Sequence, residues 1–329
     1  MPVIHPFPRL LGLSLAVTAA ITLLLIIFTW PNVLAAPNHL PVGLVAPAPV
    51  AQLLGQQLEQ ARPGGFDLHS YATEEEARQA IRGREVYGAF VITASGPQVL
   101  TASAASPLVA QLLTQVAASL NPVKVNPVRA AGNVTDVVPA TSADARQAGL
   151  GAVALPLVFG GMLSGLLLTR LFRRGRERVL GALLVAVFAG LSLTGVLQGW
   201  FGTLQGDYWM NSLVVALGVG ATVAFVLGLE ATLGAAGLGL AAAVGVLLGN
   251  PFSALGSAPE LYPGVWGGFG QLLIPGAFGH LLRSVAFFGG AHSSAPLLVL
   301  SAWLVAGLGL VLIGSRRRVN VPVSSLVSG

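Results

Sequence analysis

Residues 170–178 read Arg170-Leu171-Phe172-Arg173-Arg174-Gly175-Arg176-Glu177-Arg178, five arginines and one acid in nine positions. Such a run offers charge contacts, either to a partner protein or to anionic lipid at about 1 kcal/mol per arginine near the surface. Glu177, its single acid, is the residue most suited to a specific contact. Glu230 is a lone carboxylate inside a long apolar stretch. An acid inside a membrane is by default a candidate for function, whereas one at a tight turn reaches water and needs no such role. His280 and Arg283 close a stretch from Val265 to Leu282 that Gly267-Gly268, Gly270 and Pro275-Gly276 interrupt. The pair suits an anionic headgroup, and equally suits simple snorkelling to an interface. Other chemistries lack their residues. The chain has no cysteine, no G-x-x-x-x-G-K-[ST] phosphate loop, no G-x-S-x-G elbow and no H-E-x-x-H among its five histidines. No catalytic residue, metal site or cofactor site is expected on it.

The composition sets what must position those residues. Of 329 residues 54% are hydrophobic and only 9% charged, against roughly 25% charged in soluble domains. A chain this apolar belongs in a membrane, and its 42 glycines suit close helix packing. The net charge of +5 comes from arginines at the ends of apolar runs, which the positive-inside rule explains better than nucleic-acid binding. Apolar runs at about 10–30, 149–169, 179–199, 211–229, 232–249 and 295–314 each approach the roughly 20 residues that cross a bilayer. The first is read as a retained anchor. A cleaved signal is the rival, but the run exceeds an h-region of about 7–15 residues. Six crossings bring Arg9, the 170–178 loop and Arg316-Arg317-Arg318 to one side, which the positive-inside rule makes cytoplasmic. Both termini are then cytoplasmic in a multi-pass protein of the cell membrane. Gly161-x-x-x-Gly165, Gly195-x-x-x-Gly199 and Gly245-x-x-x-Gly249 offer close-packing faces.

Residues 31–148 differ, holding eight of the twelve acids: Glu59, Asp67, Glu74, Glu75, Glu76, Glu85, Asp136 and Asp144. Short apolar strands are expected at 41–46, 66–71, 86–92 and 99–102, and helices at 50–61, 73–82 and 107–120. Thr73 with Glu76 forms a capping box. Strands alternating with helices indicate a small α/β domain, with residues 121–148 as an irregular return to the membrane. The interrupted stretch at 265–283 is read as a re-entrant segment, allowed only where it packs on protein or lines a cavity. The fold class is therefore an α-helical polytopic membrane protein. It has six transmembrane helices, an outer re-entrant segment and a small extracytoplasmic α/β domain. The divisions are a leader and first span at 1–30, the α/β domain at 31–148, five spans over 149–318 and a tail at 319–329.

Several of these stretches share the pattern of one family. Leu40 to Val45 (LPVGLV) follows the first span. Phe66-Asp67-Leu68 leads to Thr73-Glu74-Glu75-Glu76-Ala77-Arg78-Gln79-Ala80-Ile81. Gly83 to Ile92 (GREVYGAFVI) is the most specific piece, and Asn250-Pro251-Phe252-Ser253 and Leu273-Ile274-Pro275-Gly276-Ala277 come late. The layout resembles ABC-2 type transporter permeases, in the phage-infection-protein-like subgroup with a large extracytoplasmic domain between the first two spans. The polar segment after the 83–92 strand is shortened here to Thr93–Gln98. The resemblance implies an exporter of a lipid-like or amphipathic substrate, working as a homodimer or heterodimer with a second permease. It implies no enzyme activity on this chain, with ATP hydrolysed on a separate ABC ATPase subunit. Arg170, Arg173, Arg174, Arg176, Glu177 and Arg178 then become the ATPase-coupling loop, and Pro275, His280 and Arg283 an exit segment. The alternative is a non-transporting membrane protein whose outer domain binds a peptide, phage or envelope component.

Overall fold

A computed structural model describes residues 7–93, 96–119 and 133–319. Helix α1 (Phe7–Val33) leads into an α/β unit built from β1 (Leu40–Val45), α2 (Ala48–Ala61), β2 (Phe66–Ser70), α3 (Glu74–Arg82), β3 (Gly88–Thr93), β4 (Gly96–Thr101), α4 (Pro107–Ser119) and β5 (Val134–Asp136). The sheet order is β2-β1-β3-β4-β5, with β1 parallel to both neighbours and β4 antiparallel to β3. A strand with helices on both faces of its sheet reads as a nearly continuous apolar run, as LPVGLV does between β2 and β3. Alternate side chains go to opposite faces. Leu40, Val42, Leu44, Phe90 and Val99 meet α2 and α4, while Val45, Ala89, Val91 and Leu100 meet α3. The expected capping box is formed. Thr73 Oγ1 accepts from Glu76 N at 3.2 Å, and Glu76 Oε2 accepts from Ala72 N at 2.9 Å. Strand β5 falls where an irregular return was expected. It pairs with β4 through only three residues, too short for a readable period.

The bundle follows as α5 (Ala148–Ala152), α6 (Ala154–Leu171), α7 (Gly175–Thr194), α8 (Tyr208–Leu233), α9 (Ala235–Ala242), α10 (Asn250–Phe252), α11 (Trp266–Gln271), α12 (Ile274–Phe287) and α13 (Ser294–Val319). Wider π-helical turns extend α7 through Gly195–Trp200 and join α9 to α10 through Ala243–Gly249. Six helices are long and apolar enough to cross a membrane: Leu10–Pro31, Ala148–Leu171, Gly175–Trp200, Tyr208–Leu233, Ala235–Phe252 and Ser294–Gly314. They match the six apolar runs expected from sequence. Helix α8 is the axis, with 83% of its apolar window buried, and α6, α7, α12 and α13 all pack on it. Helix α1 is exposed along its length. Its contact is at one end, where Trp30 meets Phe252 at 6.3 Å and Trp266 at 5.7 Å between ring centroids.

Glycines set the closest approaches. Gly161 and Gly165 face Thr222 and Val226 of α8, and Gly249 faces Pro275, as their spacing suggested. Gly195-x-x-x-Gly199 is not a packing face: a Cβ on Gly199 meets nothing within 4 Å. A further close seam joins α8 to α13. A Cβ on Gly307 would stand 2.4 Å from the Ala224 carbonyl carbon, and one on Gly228 would stand 2.6 Å from Gly307 O. Gly228 meets Gly307 and Leu310, and Gly314 meets Ala231, so α13 runs beside α8 in the same direction. Both therefore end near the α6–α7 turn, away from the sheet.

The segment expected to be re-entrant is helical in two pieces, α11 and α12, broken at Leu272-Leu273. Pro275 sits in the first turn of α12, where its missing N–H costs nothing. Trp303 Nε1 donates to Leu272 O at 2.8 Å and so satisfies a carbonyl at the break. The start of α12 lies beside Thr222 and Phe225, about halfway along α8, where an apolar crevice also includes Val158, Val244 and Trp303.

Substituting Gly307→Ala should destabilise the bundle by about 1–3 kcal/mol through overpacking against backbone. Thermal melts in detergent will show a lowered midpoint for Gly307→Ala and an unchanged one for Gly199→Ala.

Candidate functional site

Two polar centres occupy opposite ends of the bundle. At the end far from the sheet, Arg170, Arg173, Arg174 and Arg176 are exposed around the α6–α7 turn. Glu177 is half-buried and lies 3.8 Å from Arg174, a loose contact. Arg178 does not belong with them. Its side chain is 9% exposed, and Nη1 lies 3.0 Å from Glu230 Oε2, itself on a side chain 14% exposed. Nε donates to Phe172 O at 2.9 Å and Nη2 to Thr169 O at 3.0 Å. Arg178 therefore caps orphan carbonyls at the end of α6 and neutralises Glu230 at the end of α8. The six-residue coupling set divides into five accessible residues and one internal tie. Glu230 is an ion-pair partner of Arg178, on a side chain that keeps 14% exposure.

The second centre joins the α/β unit to the bundle. The stretch around the start of α11 and the end of α12 supplies part of the unit's own core. Ala258 (0% exposed) and Leu261 (4%) pack with the α2/α4 face, and Phe288 (8%) packs with the α3 face. Backbone bonds run from Ala36 N to Leu261 O at 2.8 Å and from Asn38 N to Glu260 O at 2.9 Å. Packing of the α/β unit is thus not confined to residues 31–148.

Polar contacts reinforce this seam. Arg84 lies just beyond α3, in the left-handed region at φ 58°. Its guanidinium stands 5.2 Å from the Phe288 ring centroid. Its Nη1 donates to His280 O at 3.2 Å and to Ser284 Oγ. Tyr87 donates its hydroxyl to Glu260 Oε2 at 2.8 Å. Burial, then Glu260, hold the Tyr87 phenol well above its usual range, so it remains a donor at neutral pH. Burial lowers the Arg84 guanidinium from its usual range. Arg283, 4% exposed, donates through Nη2 to Leu255 O at 2.8 Å and Gln147 Oε1 at 3.4 Å. Gln147 in turn donates to Ala104 O at 2.6 Å.

His280 and Arg283, expected at an exit, are turned into this junction, and Pro275 stands apart at the other end of α12. Arg84, Tyr87, Gln147 and Glu260 were not singled out from sequence. Glu260 carries a weak signal as the only acid in residues 250–294. The others carry none, because their partners lie over a hundred positions away or across the seam. Among the described residues no group of three or more metal-ligating side chains occurs.

Arg178→Ala should destabilise the bundle by about 1–3 kcal/mol, because it removes the charged donor to Glu230 and to the Phe172 and Thr169 carbonyls. A double-mutant cycle with Glu230→Ala, followed by thermal unfolding, should give a coupling energy of about 0.5–3 kcal/mol. Additive losses would show that the pair does not hold the turn.

No protein-family model matches the chain, and neither a curated protein nor a solved structure matches it.

Proposed function

We propose that this chain is the membrane-spanning permease subunit of an ABC-2 type exporter, moving a lipid-like or amphipathic substrate with energy from a separate ATPase subunit. One observation carries the reading. Four exposed arginines and Glu177 gather at one end of an apolar bundle, while an α/β unit is built into the other end. A cytoplasmic ATPase gripping the α6–α7 turn would act on α6 and α7, both packed on α8. Helix α12 also packs on α8, so the motion reaches the half-length helix and, through Phe288, the α/β unit. In this reading the α/β unit is extracytoplasmic, both termini are cytoplasmic, and two such chains, or one with a second permease, enclose the path.

Orientation is tested with a single engineered cysteine, since the native chain has none. Leu53→Cys, at a site 57% exposed, should react with an impermeant maleimide in intact cells, and protection there would overturn the topology. Coupling is tested by purification from the host with mild detergent. An ATPase should co-purify, and Arg173→Ala with Arg174→Ala and Glu177→Ala should reduce its recovery about tenfold, equivalent to about 1.4 kcal/mol of binding. The thermal midpoint of the permease should stay unchanged. Absence of any ATPase would favour the alternative, a membrane-anchored protein whose α/β unit binds an envelope component.

A further inference from the structure

The junction between the α/β unit and α12 carries more positive charge than its own acids balance. Arg84 and Arg283 are both cationic there, and Glu260 is the carboxylate beside them. Among the described residues neither arginine forms an ion pair within 4.0 Å. The Glu260 carboxylate instead accepts from the Tyr87 hydroxyl. Arg283 is the deeper of the two cations, and its acceptors, Leu255 O and Gln147 Oε1, are both neutral. A guanidinium buried without a counter-charge is strongly disfavoured.

Two donors are also left over. Arg283 Nε and His280 Nε2 are buried and have no hydrogen-bond partner among the described residues. They belong to residues three apart on α12, which places them on one helical face. Arg84 crosses the same face through its bonds to His280 O and Ser284 Oγ, and Nη1 is the nitrogen that makes both. Arg84 and His280 are half-buried, so the cluster borders solvent while Arg283 lies beneath. Uncompensated charge and unused donors thus occur at the same place.

We infer that this junction binds one singly charged anion. Arg283 Nε–H and His280 Nε2–H, in the tautomer protonated there, donate to it, and the Arg84 guanidinium faces it from the α/β side. The chemistry required is a compact negative charge, which a free halide or a phosphodiester oxygen of a lipid headgroup can supply. Occupancy neutralises the seam and tightens the attachment of the α/β unit to α12. The site is independent of any transport cycle.

The test uses the full chain in maltoside micelles free of phospholipid, with gluconate replaced by chloride or bromide at constant ionic strength. Thermal unfolding is the readout. A ligand that binds only the folded state should raise the midpoint saturably, by about 2–4 °C for a chain of this size. Arg283→Gln and Arg84→Gln should each lose that increment, whatever their baseline midpoint. If Arg283→Gln does not fold, Arg84→Gln decides, since Arg84 is only half-buried. No rise in the native chain with either halide or anionic lipid overturns the site, and so does an equal rise in both variants. Nanodiscs containing anionic phosphatidylglycerol separate the two sources. A midpoint already raised and indifferent to halide identifies the lipid phosphate, whereas a persisting halide increment identifies the free ion.

Discussion

Phe288 follows the last turn of α12, yet its ring is buried in the core of a sheet whose last strand ends at Asp136. Ala258 and Leu261 do the same on the sheet's other face. The α/β unit is therefore held between two pieces of the bundle's connecting chain, one on each side. Helix α12 begins halfway down α8 and ends inside the sheet's packing. A close-packed core transmits displacement rather than absorbing it. The sheet and the middle of the bundle are therefore joined by one continuous helix, α12.

Arg84 shows what the seam costs. A non-glycine residue in the left-handed region is strained by about 1 kcal/mol or more. That conformation turns its guanidinium onto Phe288 and the carbonyl of His280. Gln147, also left-handed at φ 50°, bridges Ala104 and Arg283 at the point where the chain returns to the bundle. Both strained residues are polar links between the two halves, and contacts on each side of them maintain the strain.

Away from the seam, side chains cover carbonyls where the bundle's helices break or end. The break before α12 is tolerated because Trp303 takes the Leu272 carbonyl and Gln271 donates to Ser253 O at 3.1 Å. Backbone left unpaired in an apolar medium costs several kcal/mol per group. Arg178 obeys the same rule, ending α6 by taking its last carbonyls while its charge meets Glu230. Glycine serves packing where backbones nearly touch, at Gly228 and Gly307, and neither of these belongs to the three motifs that spacing had marked.

What the chain wrote locally was readable in it. The six apolar runs, the capping box at Thr73 and Glu76, the alternating strands and the break just before Pro275 each depend on neighbours within a few positions. Hydrophobic period and hydrogen-bond geometry act over that range. The meeting of the end of α13 with the end of α8, near the α6–α7 turn, also followed, since it needs only a count of crossings. The partners of the charges did not follow. Arg178 meets Glu230 across 52 positions, Tyr87 meets Glu260 across 173, and Arg84 meets His280 across 196. Those pairings are decided by how α8 crosses its neighbours and how the sheet seats on α12. That is a property of packed surfaces, and no single stretch of residues contains it.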